Sequence, residues 1–180
     1  MRTYKTEGII IKRVNYGEAD RILTIFTKHY GKIRAIAKGV RRINSRRGGN
    51  LELFNYVTLF LNEGRNFDII SEAEVKDGFV NLRKNLKKVG LVYYLCELVD
   101  GLCPERQENL RVFELLYEAI KNLEMGDMRG VRVRNFAIDL LKELGYLDKN
   151  KNYPKENIKI FIENLLGKKI KSDRVVKLII

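Results

Sequence analysis

The feature that most constrains this chain is a single change in the spacing of its apolar residues near Asp77. Before that point apolar residues fall in short, β-branched runs broken by Gly, Asn and Asp, a strand pattern. After it they recur at intervals of three and four, a helical one. With no internal repeat or low-complexity segment to impose an array, such a chain is expected to be α+β, with a strand domain over residues 1–76 and a helical-bundle domain over 77–180.

The first half divides into five expected strands: Thr6–Val14, Arg21–Thr27, Lys32–Lys38, Leu53–Leu61 and Phe67–Glu74. Asn15-Tyr16-Gly17 ends the first, and the turn Lys28-His29-Tyr30-Gly31 separates the second from the third. In the third strand Ile33, Ala35 and Ala37 face one way, while Lys32, Arg34, Ile36 and Lys38 face the other. Five short strands in so few residues form a small barrel or rolled sheet.

The second half carries three apolar stripes: Leu91-Leu95-Leu98-Leu102, Leu110-Phe113-Leu116-Ile120-Leu123 and Val133-Phe136-Leu140-Leu144. Pro104 suits a helix first turn, and Gly101, Gly126 and Gly145 suit helix ends. A further helix is expected over Glu156–Leu166, stopped by Gly167, with Ser172 placed to cap a last short one.

Charge narrows the function. Thirty-five Lys and Arg against 23 Asp and Glu leave a net charge of +12, which favours a polyanionic partner, nucleic acid ahead of an anionic membrane. The excess is concentrated. From Arg21 to Leu51 the sequence has Arg21, Lys28, Lys32, Arg34, Lys38, Arg41, Arg42, Arg46 and Arg47 and no acidic residue. A merely solvated face mixes both signs, because like charges repel. The segment Ala37–Gly49 adds glycines and the donors Asn44 and Ser45, the composition of a mobile loop that grips phosphates, for which guanidinium is the matching group. Tyr16, Tyr30, Tyr56 and Phe67 are candidates to stack bases, and exposure is expected of Tyr16 and Tyr30, which lie in turns.

Several function classes drop out. His29 is the sole histidine and lies in a basic turn, so a serine or cysteine nucleophile lacks a base. Gly167-Lys168-Lys169 lacks the rest of a phosphate-binding loop. The pairs Glu72/Glu74 and Glu105/Glu108 sit on a strand and near a helix start. Cys96 and Cys103 are expected as buried thiols, and two cysteines with one histidine do not build a zinc site. The reading is a non-enzyme without cofactor or metal. No apolar run reaches a membrane span, and no secretory signal is visible, so the expected location is cytoplasmic.

Particular residues go further. Tyr16-Gly17-Glu18-Ala19-Asp20, Phe26-Thr27, Gly31-Lys32, Ala37-Lys38-Gly39-Val40-Arg41-Arg42 and Ser45 resemble, in order, the N-terminal domain of the RecO family of bacterial recombination mediators and DNA repair proteins. Tyr94-Leu95-Cys96-Glu97-Leu98-Val99-Asp100 and Phe136–Tyr146 resemble its helical segments, and Leu166–Ser172 its C-terminus. The resemblance implies an OB-fold barrel followed by an all-helical domain. It also implies a protein that binds single- and double-stranded DNA, anneals complementary strands and, with RecR, helps load RecA onto DNA coated by single-strand binding protein at the nucleoid. By matching position, Lys38, Arg41, Arg42 and Arg46 are implied DNA contacts, and Arg21, Lys32, Arg34 and Arg47 extend the expected site.

Arg83, Lys84, Lys87 and Lys88 form a candidate second basic track, against a solvated helix face, and the nine basic residues from Lys149 to Lys177 face only three acidic ones. Arg129, Arg132 and Arg134 are offered as a seat for the acidic tail of single-strand binding protein, against an ordinary basic helix face. The Glu18-Ala19-Asp20 turn is read as orienting the strand before Arg21. One departure is plain: many members carry a four-cysteine zinc module after the Leu-Gly-Tyr segment, whereas no cysteine follows Cys103 here, so a metal-free short form is expected, with a monomer favoured. The rival readings are an OB-fold protein bound to RNA or the ribosome, an adaptor acting through its helices, and a nuclease.

Overall fold

In a computed structural model, residues 2–45, 47–126 and 130–172 are described, without the side chains of 130–134 and 155–156. Five strands come first: β1 (Thr3–Tyr16), β2 (Asp20–Thr27), β3 (Gly31–Ala37), β4 (Tyr56–Asn62) and β5 (Asp68–Asp77). Five helices follow: α1 (Val80–Arg83), α2 (Leu86–Leu102), α3 (Leu110–Glu124), α4 (Gly130–Glu143) and α5 (Lys155–Leu166).

The strands close a barrel in the order β1-β2-β3-β5-β4, antiparallel throughout except where β3 meets β5 at Ala35↔Asp68 and Ile36↔Ile69. This is an OB-fold arrangement, as the resemblance implied. β1 pairs β4 along its first half and β2 along most of its length, with a register break between Ile10 and Lys12. An extra residue bends a strand, and here it lets one long strand serve two neighbours around a tight barrel. Inward alternation buries Ile9, Leu23, Ile25, Ile33, Leu59 and Leu61. The fourth strand starts at Tyr56 rather than Leu53; Leu53 and Phe54 are buried in the preceding loop, Phe54 with φ of 73°.

A second piece of chain completes the barrel unit: the molecule divides into Met1–Phe79 with Pro104–Leu110, and Val80–Cys103 with Arg111–Ile180. The strap Pro104–Leu110 runs beside β3, where the Arg106 amide donates to the Lys32 carbonyl (2.8 Å) and the Lys32 and Glu105 backbones pair in parallel. Gly31 makes this approach possible: φ is 62°, and a Cβ there would lie 1.9 Å from the Gln107 carbonyl oxygen. Beneath the strap, Asp68 is wholly buried yet fully served. It accepts from the Tyr4 hydroxyl, the Gly64 amide (3.2 Å) and the Arg106 guanidinium (2.8 Å). Burial and the neighbouring Asp68 push the Tyr4 hydroxyl well above the ordinary tyrosine range, so it stays a donor. Pro104 therefore lies in this strap and not in a helix first turn; contacts far away in sequence override the local helix-start signal.

In the helical unit α2 is buried on most sides, through Leu91, Val92, Leu95, Leu98, Val99 and Leu102 among others. Its N-cap is Asn85, whose side chain accepts from the amides of Lys87 and Lys88. Gly101 is not its stop: the helix runs to Leu102, and a Cβ on Gly101 would meet the Leu166 side chain at 2.7 Å, so this glycine serves packing. α3 buries Phe113, Leu116, Ile120 and Leu123 as the stripe requires, but Leu110 is partly exposed. α5 ends at Gly167 with φ of 64°, as expected. Ser172 joins the Lys171 amide in donating to the Glu97 carboxylate of α2, which ties the end of the described chain to that helix. The residues it was expected to cap lie outside those described.

Candidate nucleic-acid interface

The basic segment between β3 and β4 is tied to the barrel at several described residues. Val40, Leu51, Leu53 and Phe54 are buried and pin it inward. At its root, the Gly39 amide donates to Asp20 Oδ1 (2.7 Å), and the Arg41 amide to the Ala19 carbonyl (2.9 Å). The Arg41 side chain reaches the Gly17 carbonyl (3.1 Å). Asp20 thus ties the β1–β2 turn to this segment, rather than only orienting β2. Asn55 donates to the Gly49 and Asn50 carbonyls, and Asn50 to that of Ala73. A loop with this many bonds loses little conformational freedom when it meets a ligand.

The expected contact residues separate by environment. Arg47 is committed to the fold, donating to the carbonyls of Lys38 (2.9 Å), Ile70 (2.9 Å) and Ser71 (3.2 Å). Arg21 pairs with Glu52 at 3.2 Å, and Glu52 also holds Arg13. Arg34 pairs with Glu105 of the strap at 3.0 Å and lies 5.3 Å from the Phe67 ring centre. Lys32 is only 8% exposed. Lys38, Arg41 and Arg42 remain exposed, and among the described residues none of the three has a carboxylate partner. Arg46 lies outside the described residues. Lys38, Arg41 and Arg42 thus gather at one rim, where the β1–β2 turn meets the loop after β3, while Lys28 lies apart, partly exposed after β2.

The second track falls in the helical unit. Arg83 ends α1, Lys84 follows it, and Lys87 and Lys88 occupy the first turn of α2, all at least partly exposed. Arg132 and Arg134 lie on α4, with no side chains described, and Arg129 lies outside the described residues.

Of the aromatics, Tyr16 is about half exposed, beside the turn that Arg41 holds. Tyr30 is instead partly buried against Tyr4, with ring centres 4.5 Å apart. Tyr56 bonds Glu7 with Lys76 over its ring, and Phe67 carries Arg34, so each ring already has a cation against it. His29 is exposed 3.3 Å from Glu108. Cys96 and Cys103 are buried and free, and burial pushes the Cys96 thiol well up, leaving it inert. Among the described residues no three His, Cys, Asp or Glu side chains gather as metal ligands, and no helix is long and apolar enough to cross a membrane.

Charge counting missed Glu52, Asp20 and the strap. Glu52 had a signal in the charge pattern: it is the first acidic residue after the acid-free run, on an adjoining strand connection.

Two family models match the chain, "Recombination protein O N terminal" over residues 1–79 and "Recombination protein O C terminal" over 83–147. Among curated relatives, the DNA repair protein RecO of Roseiflexus sp. (strain RS-1) is 41% identical over 145 residues, covering 81% of this chain and 51% of the relative. That of Alkaliphilus metalliredigens is 43% identical over 142 residues (78% and 58%), and that of Desulforamulus reducens 36% over 141 residues (78% and 55%). The chain thus spans a little over half the length of the relatives it matches.

Proposed function

This chain belongs to the RecO family, and from that premise we infer that it is a DNA-binding mediator of recombinational repair that anneals complementary single strands. Annealing requires two polyanions to approach. A fixed cationic rim lowers their repulsion and releases condensed counterions, which is work done by position and charge, without a catalytic group. The observation that carries the reading is the sorting of cations on the barrel: Lys38, Arg41 and Arg42 stay exposed without carboxylate partners among the described residues, while Arg21, Arg34 and Arg47 are paired or bonded within the barrel unit. Contacts of this kind go to phosphates, so binding is tolerant of sequence and sensitive to salt.

In the cell the partners are RecR, the RecA recombinase and DNA coated by single-strand binding protein, whose acidic tail would sit on Arg129, Arg132 and Arg134. The test is annealing of two labelled complementary oligonucleotides across a salt series, for the wild type and for a Lys38, Arg41, Arg42→Ala variant. Rapid annealing that fades with salt and is lost in the variant supports the reading. Binding without annealing overturns it. Annealing that persists in the variant moves the DNA track to Arg83, Lys84, Lys87 and Lys88.

A further inference from the structure

The rim that holds the three cations also presents apolar side chains outward. Ile43 is fully exposed, between Arg41-Arg42 and Asn44-Ser45. A lone exposed apolar residue is ordinary. This one belongs to a segment whose other large apolar residues, Val40, Leu51, Leu53 and Phe54, are all buried. It also has company. Val14 and Tyr16, 52% and 53% exposed, lie at the end of β1, on the turn that Arg41, Gly39 and Asp20 staple to this segment. Phosphate binding accounts for the cations of this rim and gives its apolar side chains nothing to do.

Three properties suit these residues to bases. Isoleucine is β-branched and stiff, so it enters a stack with little rotamer entropy to lose. The segment is hydrogen-bonded to the β1–β2 turn at its root and turns on itself through the Arg42 and Ser45 amides, so the side chain is carried on an anchored turn. Phosphate-gripping groups flank it in sequence at Arg41 and Arg42, so a strand held there brings its bases near. Resting on the DNA-binding reading, we propose that Ile43 is a wedge that inserts between adjacent bases of a bound single strand, with Tyr16 offering a face on which a displaced base stacks. The ligand class is the unpaired nucleobase of any sequence, because the wedge reads the π-face and not the hydrogen-bonding edge. Opening the stack of a bound strand leaves its pairing edges available to a complement.

The test uses the full chain and a mixed-sequence single strand carrying 2-aminopurine, whose fluorescence rises when neighbouring bases unstack. Wild type is expected to raise it on binding. Ile43→Ser is expected to abolish the rise and weaken binding roughly tenfold while leaving the salt slope unchanged. Ile43→Leu restores both, and since the residue is fully exposed, thermal melting of both variants should match wild type. Wild type that binds with no fluorescence change, or Ile43→Ser that matches wild type in affinity and fluorescence, overturns the wedge and leaves DNA binding standing. Wild type that binds no strand at low salt overturns both. If Ile43→Ser loses binding to phosphatidylglycerol vesicles but not to DNA, the side chain serves a membrane and the wedge is again overturned.

Discussion

The barrel unit and the helical unit handle positive charge differently. The barrel has surface pairs of its own, as in Arg34–Glu105, but other arginines there act as structural donors: Arg47 serves three carbonyls, Arg41 one, and Arg106 a buried carboxylate. In the helical unit, cations pair with nearby carboxylates at the surface, as in Arg111–Glu114 and Lys149–Glu143. The difference follows from the backbone. A helix satisfies its own carbonyls, while a long irregular loop between strands leaves carbonyls that need donors. An arginine in a barrel loop thus has two competing uses, fold and ligand, and sequence composition does not separate them.

The largest expected effect tests this asymmetry through glycines. Gly31→Ala in the barrel unit forces a side chain into a left-handed backbone and against the Gln107 main chain, and should cost about 3 kcal/mol or more in chemical denaturation. Gly101→Ala in the helical unit meets only the tip of Leu166, gains helix propensity, and should stay within about 1 kcal/mol of wild type. Equal costs would break the comparison.

Next in size, Arg47→Ala should destabilise by about 2 kcal/mol, because it removes three hydrogen bonds, one of them to the part-buried Ile70 carbonyl. Arg111→Ala, which breaks an exposed pair, should cost less than about 0.5 kcal/mol. Lys38→Gln with Arg42→Gln should leave the melting temperature nearly unchanged. It should still lower the salt slope of single-strand binding by roughly 0.7 per residue. A variant that melts early with an unaltered slope would reassign both residues to the fold.

The smallest effect compares one glutamate in each unit. In the barrel, hydrogen bonds from Lys76 and then Tyr56 hold the Glu7 carboxyl below its ordinary range. In the helical unit, partial burial pushes Glu97 up, but hydrogen bonds from Ser172 and Lys171 outweigh it and the net shift is down. A depressed carboxyl contributes stability above its unfolded pKa and loses it as pH falls through the folded one. Each unit should therefore weaken only on the acid side of the ordinary glutamate range. Glu7→Gln or Glu97→Gln should flatten that acid limb, measured as melting temperature against pH.

Much of the architecture was legible because it is local. Short β-branched runs between turn signals placed all five strands, and stripes of three and four placed the long helices, since each signal needs only neighbours along the chain. The strap was illegible because its partners are distant: Arg106 with Asp68, Glu105 with Arg34, Glu108 with His29. Pro104, Glu105 and Glu108 read locally as a helix start. The absence of any apolar residue from Pro104 to Asn109 was the one hint that this stretch does not continue a stripe. The rim was half legible. The charge run contains the exposed Lys38, Arg41 and Arg42, but the partners that hold Arg21, Arg34 and Arg47 come from other strands, the strap and main-chain carbonyls.

The strap sets a timetable. The chain leaves the barrel at Phe79, makes α1 and α2, and returns with Pro104–Leu110 to cover β3 and neutralise Asp68. During synthesis the five strands are complete while Arg106 is still to come, so the barrel waits on later chain, on the order of a few seconds at ribosomal speed. For the same reason an expression fragment ending at residue 79 omits the strap and leaves Asp68 without its guanidinium. The smallest excisable form of this barrel is thus discontinuous in sequence, and a soluble fragment must carry the helices that lead back to it.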